Sequence, residues 1–82
     1  MIQLLVQSDD YGITPGVSAG IREGIQNGII RNTGIFINMP CSYQAAQDIK
    51  NMDVCLGIDI NYVCGKPVSD PKLIPHLVDE NG

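Results

Sequence analysis

The sequence predicts an α/β fold made of parallel β/α units in a single domain over residues 1–82. Three short runs rich in apolar or β-branched residues, at 2–7, 33–39 and 54–60, have the length of strands. Two segments with a helical spacing of apolar residues separate these runs, and the connections are short. This alternation is typical of parallel strands, because a crossover between them needs a connection about as long as a helix.

The first strand is predicted at residues 2–7, where four of six residues are apolar, as in a strand covered on both faces. The stretch QSDDYG follows, and its two aspartates and its glycine are expected to end the strand. Adjacent carboxylates repel each other, and a shared cation relieves that repulsion. The pair Asp9 and Asp10 is therefore either a cation site or a solvated capping loop.

The segment after the acids predicts an amphipathic helix. Thr14 supplies an N-cap hydroxyl, Pro15 fits the first helical position, and Gly28 is expected to close the helix. Glycine recurs at 16, 20, 24 and 28, although each interior glycine costs up to about 1 kcal/mol relative to alanine. We interpret this repeat as close approach of the helix to the sheet. The buried stripe is expected to be Val17, Ile21 and Ile25.

The rest of the chain predicts one more helix and two more strands. The TGIFINM run at 33–39 suits a second strand, and VCLGIDI at 54–60 suits a third. Between them, Ser42 is expected to cap a short helix over 42–50. Residues 61–82 contain three prolines and predict loops and irregular turns. The buried face of the second helix is expected to be Tyr43, Ala46 and Ile49.

Composition limits the classes of function. The chain is 44% hydrophobic and 17% charged, as expected for a globular protein. Its net charge of -4 provides no basic surface, so nucleic acid and anionic membranes are not expected as partners. The three cysteines lack the paired spacing of a zinc site and are expected to be free thiols. The apolar N-terminal run is too short for a signal peptide or membrane span, which predicts a cytoplasmic protein.

Oxygen-bearing side chains gather near the predicted ends of all three strands. The carboxyl ends of parallel strands meet at one edge of a sheet, so we expect these side chains to share a rim. Carboxylate and amide oxygens are hard donors that favour Mg²⁺, Mn²⁺ or Ca²⁺. The candidate rim residues are Asp9, Asp10, Asn38, Asp59 and Asn61.

Two long segments resemble a known family. SDDYGITPGVSAGIREGIQNGIIRNTGIFINMP resembles the opening of the YdjC-like carbohydrate deacetylases, and LGIDINYVCGKPVSDPKLIPHLVDENG resembles a later stretch of the same family. The resemblance implies the opening part of a distorted TIM-like (β/α) barrel. It also implies a metal-dependent hydrolase that removes the N-acetyl group from an acetylated amino sugar or chitooligosaccharide. Mg²⁺ is the expected metal, with Mn²⁺ or Zn²⁺ as alternatives.

The resemblance implies a role for several residues. Asp9 matches the family's general base, and Asp10 matches a metal ligand. The family has a metal-binding histidine where this chain has Asp59, so Asp59 is a candidate ligand in a more negative set. His76 is either a substitute ligand or a surface residue. A full barrel needs about 250 residues, so we expect an incomplete site in an N-terminal fragment over 1–82.

Other roles and functions stay open at this level. Tyr11, Asn38 and Asn61 are candidate substrate-binding residues; packing of the ring and tethering of loops by the amides are the alternatives. Tyr62 is also placed to stack on a sugar. The acid pattern also fits a Mg²⁺-binding receiver-like signalling domain. A third alternative is an inactive barrel remnant, whose open sheet edge would favour a homo-oligomer.

Overall fold

A computed structural model describes residues 1–82 and contains a three-stranded parallel sheet flanked by two helices. The sheet order is β1-β2-β3, so each strand lies beside the next one in the chain. The predicted order of elements and the parallel β/α units are confirmed. Neither helix has the length and apolar composition that a membrane span requires. The elements are β1 (Val6–Tyr11), α1 (Pro15–Gln26), β2 (Ile30–Phe36), α2 (Ser42–Ile49), β3 (Cys55–Asp59) and a 3₁₀ turn at Pro71–Leu73.

The predicted bounds of the first two strands are wrong, whereas those of the third are correct within one residue at each end. β1 begins at Val6 rather than at residue 2, because its pairing with β2 begins at Val6 and Ile30. The apolar side chains of Ile2, Leu4 and Leu5 are exposed, so this run is not a strand covered on both faces. The strand therefore lies where β1 pairs with β2, and not where the apolar residues are concentrated.

The hydrophobic core lies between the helices and one face of the sheet. Tyr11, the last residue of β1, is fully buried in it. Its hydroxyl donates a hydrogen bond to the carbonyl of Ala45 at 2.6 Å and accepts one from the Arg22 guanidinium at 3.2 Å. This ring and its hydroxyl connect β1 to both helices. The core consists of Tyr11, Ile21, Ile25, Ile35, Ala45 and Ile49.

α1 begins as predicted, since the Thr14 hydroxyl accepts a hydrogen bond from the backbone N–H of Val17 at 3.1 Å. Its last residue is Gln26, two residues before Gly28, which was expected to close the helix. Ile21 and Ile25 are buried as predicted, but Val17 is exposed and Ser18 is buried in its place. Ser18 is buried because its hydroxyl accepts a hydrogen bond from the backbone of the preceding turn.

α2 buries a different face from the one predicted. Ser42, Ala45 and Ile49 are buried, whereas Tyr43 is exposed and Ala46 is half-buried. The Ser42 hydroxyl accepts a hydrogen bond from the N–H of Met39 at 2.9 Å, which turns this residue inward. The residues facing inward are therefore small, except for Ile49.

The glycine repeat of α1 brings the helix close to the sheet at one position. A Cβ added at Gly24 would lie 2.5 Å from Cδ1 of Ile30, the first residue of β2. A Cβ added at Gly16 or Gly20 would meet nothing within 4 Å. The predicted close approach is therefore confirmed at Gly24 and wrong at Gly16 and Gly20.

Alanine in place of Gly20 should stabilise the chain by about 0.5–1 kcal/mol, because it removes the backbone entropy cost of glycine without a steric contact. Gly24→Ala should gain less or lose stability, because Ile30 must move. Urea unfolding followed by circular dichroism measures both variants. Equal gains at the two positions would contradict the contact.

Removal of the Tyr11 hydroxyl should destabilise the fold. Tyr11→Phe leaves the Ala45 carbonyl and the Arg22 guanidinium without this buried partner, at a cost of about 1–2 kcal/mol. The matched control is Tyr62→Phe, because Tyr62 is 87% exposed. The free energy of unfolding should change only in the first variant; a similar change in both would refute the assignment.

Candidate functional site

The paired aspartates lie in a bulge of β1. Ser8 pairs with Thr33 and Tyr11 pairs with Ile35, so β1 has one residue more than β2 between these pairs. Asp10 has φ of 68°, in the left-handed region that non-glycine residues seldom adopt. Bulges change the direction of side chains and are common beside active sites. The two carboxylates are exposed.

The turn that follows the bulge is held from two sides. The backbone N–H of Gly12 donates a hydrogen bond to the Ser18 hydroxyl at 2.9 Å, and the carbonyl of Gly12 accepts one from the Cys41 thiol at 2.9 Å. Gly12 has φ of 88°, and a Cβ there would lie 3.1 Å from the Phe36 carbonyl oxygen. The backbone beside Asp10 is therefore fixed by α1, by the residue before α2 and by the end of β2.

Asp9 keeps most of its hydrogen-bonding capacity free. Its only hydrogen bond comes from the Gln7 amide at 3.3 Å, and the Gln7 carbonyl oxygen accepts from the Asn32 amide at 2.6 Å. The ion pairs of the chain join Arg22 to Asp48 and Arg31 to Asp53, and Asp9 forms none. An exposed carboxylate with free lone pairs and no cationic partner is suited to accept a proton.

Asp59, the last residue of β3, lies half-buried over Gly34 in β2. Gly34 and Asn32 share one face of β2, because side chains alternate along a strand. Asn32 also connects to Asp9 through Gln7, so Asp9 and Asp59 lie on the same face. This face is opposite to the one that Ile35 buries against the helices.

The structure does not assemble a complete ligand set for a metal ion. No group of three or more histidine, cysteine, aspartate or glutamate side chains is close enough to hold one. His76 is exposed and forms no hydrogen bond or ion pair, as expected for the surface alternative. The acidic side chains near the rim therefore do not form a three-residue metal cluster.

Asn38 and Asn61 are brought together, but they bond mainly to each other and to their own loop. The Asn61 amide donates to Oδ1 of Asn38 at 3.2 Å and to the carbonyl of Cys64 at 2.8 Å. Its Oδ1 accepts from the N–H groups of Val63 and Cys64 at 3.1 and 2.9 Å. The loop-tethering alternative is the one that the structure shows for Asn61.

Tyr11 is not available to a substrate. The ring is completely buried and its hydroxyl is engaged by Ala45 and Arg22, so its predicted substrate-binding role is wrong and the packing alternative is correct. Tyr62 remains exposed beside a cavity of about 610 Å³ that lies between residues 61–69 and 74–82. The sequence did not predict this cavity, although Gly65 and Pro67, which line it, are typical turn residues.

These features define an α/β chain of parallel units with exposed carboxylates near the carboxyl ends of its strands. The profile of the YdjC-like protein family matches residues 3–82. The chain belongs to this family, as its sequence resemblance indicated.

Known relatives support the same assignment over a limited length. A carbohydrate deacetylase of Thermoanaerobacter pseudethanolicus is 44% identical over 84 residues, which is 100% of this chain and 33% of that protein. One of Geobacillus stearothermophilus is 40% identical over 95% of this chain and 31% of its own length. A solved Enterococcus faecalis protein named for cellobiose-phosphate cleavage is 27% identical with a TM-score of 0.86, over 95% and 31% of the two chains. The chain thus spans about a third of these relatives.

Loss of the Asn61 side chain should loosen the loop at the rim. In Asn61→Ala the amides of Val63 and Cys64 lose their acceptor, so their hydrogen exchange should become roughly 5–10-fold faster. Asn51→Ala is the control, because Asn51 is exposed and its side chain makes no hydrogen bond. Unchanged exchange at both amides in Asn61→Ala would contradict the tethering role.

Proposed function

We propose that this chain forms the opening part of a metal-dependent carbohydrate deacetylase, a hydrolase that removes the N-acetyl group from an acetylated amino sugar or chitooligosaccharide. The observation that carries the proposal is the bulge that exposes Asp9 and Asp10, without ion pairs, near the end of β1. Membership of the YdjC-like family and the 44% identity to a carbohydrate deacetylase support the reaction class.

Asp9 is proposed as the general base. Amide hydrolysis needs a group that takes a proton from the attacking water and can return it to the departing amine. Asp9 is exposed and has one long hydrogen bond. Its carboxylate can therefore reach a water on the open face of the sheet, which is the face opposite the two helices. Gln7 limits the orientation of Asp9 without neutralising its charge.

Asp10 and Asp59 are proposed as ligands of a divalent ion, with Mg²⁺ first and Mn²⁺ or Zn²⁺ as alternatives. Carboxylates are hard donors, and Mg²⁺ is usually held by one or two of them together with waters and substrate oxygens. When bound, the ion supplies polarisation of the acetamide carbonyl.

A TIM-like barrel is the proposed setting of this site. The order β1-β2-β3 places consecutive strands side by side, as in such a barrel. Ile58 of β3 is exposed on the face that Ile35 buries in β2, so a further β/α unit could cover it. The same exposed strand supports the alternative of homo-oligomerisation. The cytoplasmic location stays a prediction from the N-terminal sequence.

The sheet order excludes the receiver-like alternative. Receiver domains have the flavodoxin-like order 2-1-3-4-5, in which the first strand lies between the second and third. Here β2 lies between β1 and β3. The similar placement of the acids therefore belongs to a different sheet.

Substitution of the two adjacent aspartates should have different effects. Asp10→Asn should weaken Mn²⁺ binding on the order of 10-fold or more, as expected for loss of a ligand. Asp9→Asn should weaken it much less, because the general base does not bind the ion. Asp53→Asn, which changes a fully exposed carboxylate, controls for the loss of negative charge. Free Mn²⁺ is measured by its electron paramagnetic resonance signal.

The reaction itself is tested by amine release from N-acetylated chitobiose with Mn²⁺ present. Wherever the parent chain, alone or within a longer polypeptide of the family, releases amine, Asp9→Asn should lower the rate by about 10²–10⁴-fold. Equal Mn²⁺ affinities for the Asp10→Asn and Asp53→Asn variants would overturn the ligand assignment. A fully active Asp9→Asn variant would overturn the assignment of the base.

A further inference from the structure

Gly34 makes room for the carboxylate of Asp59. It lies buried in the interior of β2, where glycine normally weakens a strand. A Cβ built on Gly34 would overlap the carboxylate carbon and both carboxylate oxygens of Asp59. The side chain of Asp59 therefore lies directly against the backbone of β2 at the one position without a side chain.

The neighbouring glycine shows that this contact is specific. Gly57 of β3 pairs directly with Gly34, so the two residues share the same local sheet geometry. A Cβ built on Gly57 would nevertheless meet nothing within 4 Å. A shortage of space is thus confined to the Gly34 side of the pair.

No polar partner holds the Asp59 carboxylate in place. It takes part in no ion pair, and no hydrogen bond is formed to its side chain. Its position on the open face therefore depends on shape, with the Gly34 backbone below it. This is the face that also carries Asp9.

We propose that Gly34 is a positioning residue. The space above its backbone, here called the Gly34 seat, holds the Asp59 carboxylate on the open face of the sheet, where Asp59 can bind a divalent ion. The second part of this statement rests on the proposed function. Any side chain at position 34 would displace the carboxylate from its seat. The displacement should occur by rotation of the Asp59 side chain, since the atoms in conflict are the end of a flexible group.

The first experiment is independent of metal. In Gly34→Ala, the ¹³C resonance of the Asp59 carboxylate should shift relative to the parent chain. Gly57→Ala, the matched control on the paired residue, should leave that resonance unchanged. A carboxylate resonance that is the same in Gly34→Ala and in the parent would overturn the proposed contact.

A double variant tests the contact even if Gly34→Ala alone unfolds the chain. Adding Asp59→Ala to Gly34→Ala removes the carboxylate that conflicts with the new methyl group. The melting temperature lost in the single variant should then be recovered in the double variant. A loss that persists in the double variant would show that Gly34 is needed for β2 itself and would overturn the positioning role.

The second experiment measures Mn²⁺ affinity in the same variants. Gly34→Ala should weaken binding on the order of 10-fold, as disturbance of a supporting residue does, and Gly57→Ala should leave it unchanged. In an Asp59→Asn background, Gly34→Ala should cause no further loss. An equal loss in that background would overturn the link to Asp59.

The two experiments also separate this inference from the proposed function. If the parent chain binds no Mn²⁺, the proposed metal site fails, while a shifted Asp59 resonance still supports the seat at Gly34. If the parent binds Mn²⁺ and Gly34→Ala alters neither the affinity nor the resonance, the inference fails and the proposed site stands on Asp10.

Discussion

The candidate site depends on one constraint in β1. Ser8 and Tyr11 are both fixed in place, and β1 has one residue more between them than β2 has between their pairing partners. The hydroxyl of Ser8 donates to that of Thr33 at 2.8 Å, and Tyr11 is fixed in the core by its ring and hydroxyl. The extra residue cannot enter the ladder, so Asp9 and Asp10 bulge toward solvent. A buried tyrosine thus determines where two charged residues lie.

How much of this could be predicted from sequence depends on the range of each interaction. The start of α1 was predictable, because Thr14 and Pro15 act on their own first turn. The start of β1 was not, because pairing with β2 decides it and the apolar residues before Val6 have no such partner. The role of Tyr11 depended equally on distant groups, since its partners Arg22 and Ala45 lie on other elements.

The same distinction applies to the candidate site. The acids of the rim were predictable as residue types, because their position follows from the order of the strands. Their geometry was not, since it rests on the positive φ of Asp10 and on the seat at Gly34. A glycine inside a β-branched run was a visible signal of close approach, although only coordinates show that Asp59 is what approaches. Asn61 has a side chain of a type that often binds ligands, but its amide forms hydrogen bonds with its own loop.

The two halves of the site differ in what secures them. The bulge with Asp9 and Asp10 is anchored through Tyr11 and Gly12 to both helices, and those helices supply most of the buried core. Asp59 belongs to β3, which, unlike β1 with Tyr11, contributes no residue to that core. An element that covers β3 would therefore restrict Asp59 while leaving the bulge as it is. Elements with few buried apolar contacts open at lower free energy than those that supply the core. The Asp9 half of the site is thus anchored in the core, whereas the Asp59 half depends on the contact of one carboxylate with Gly34.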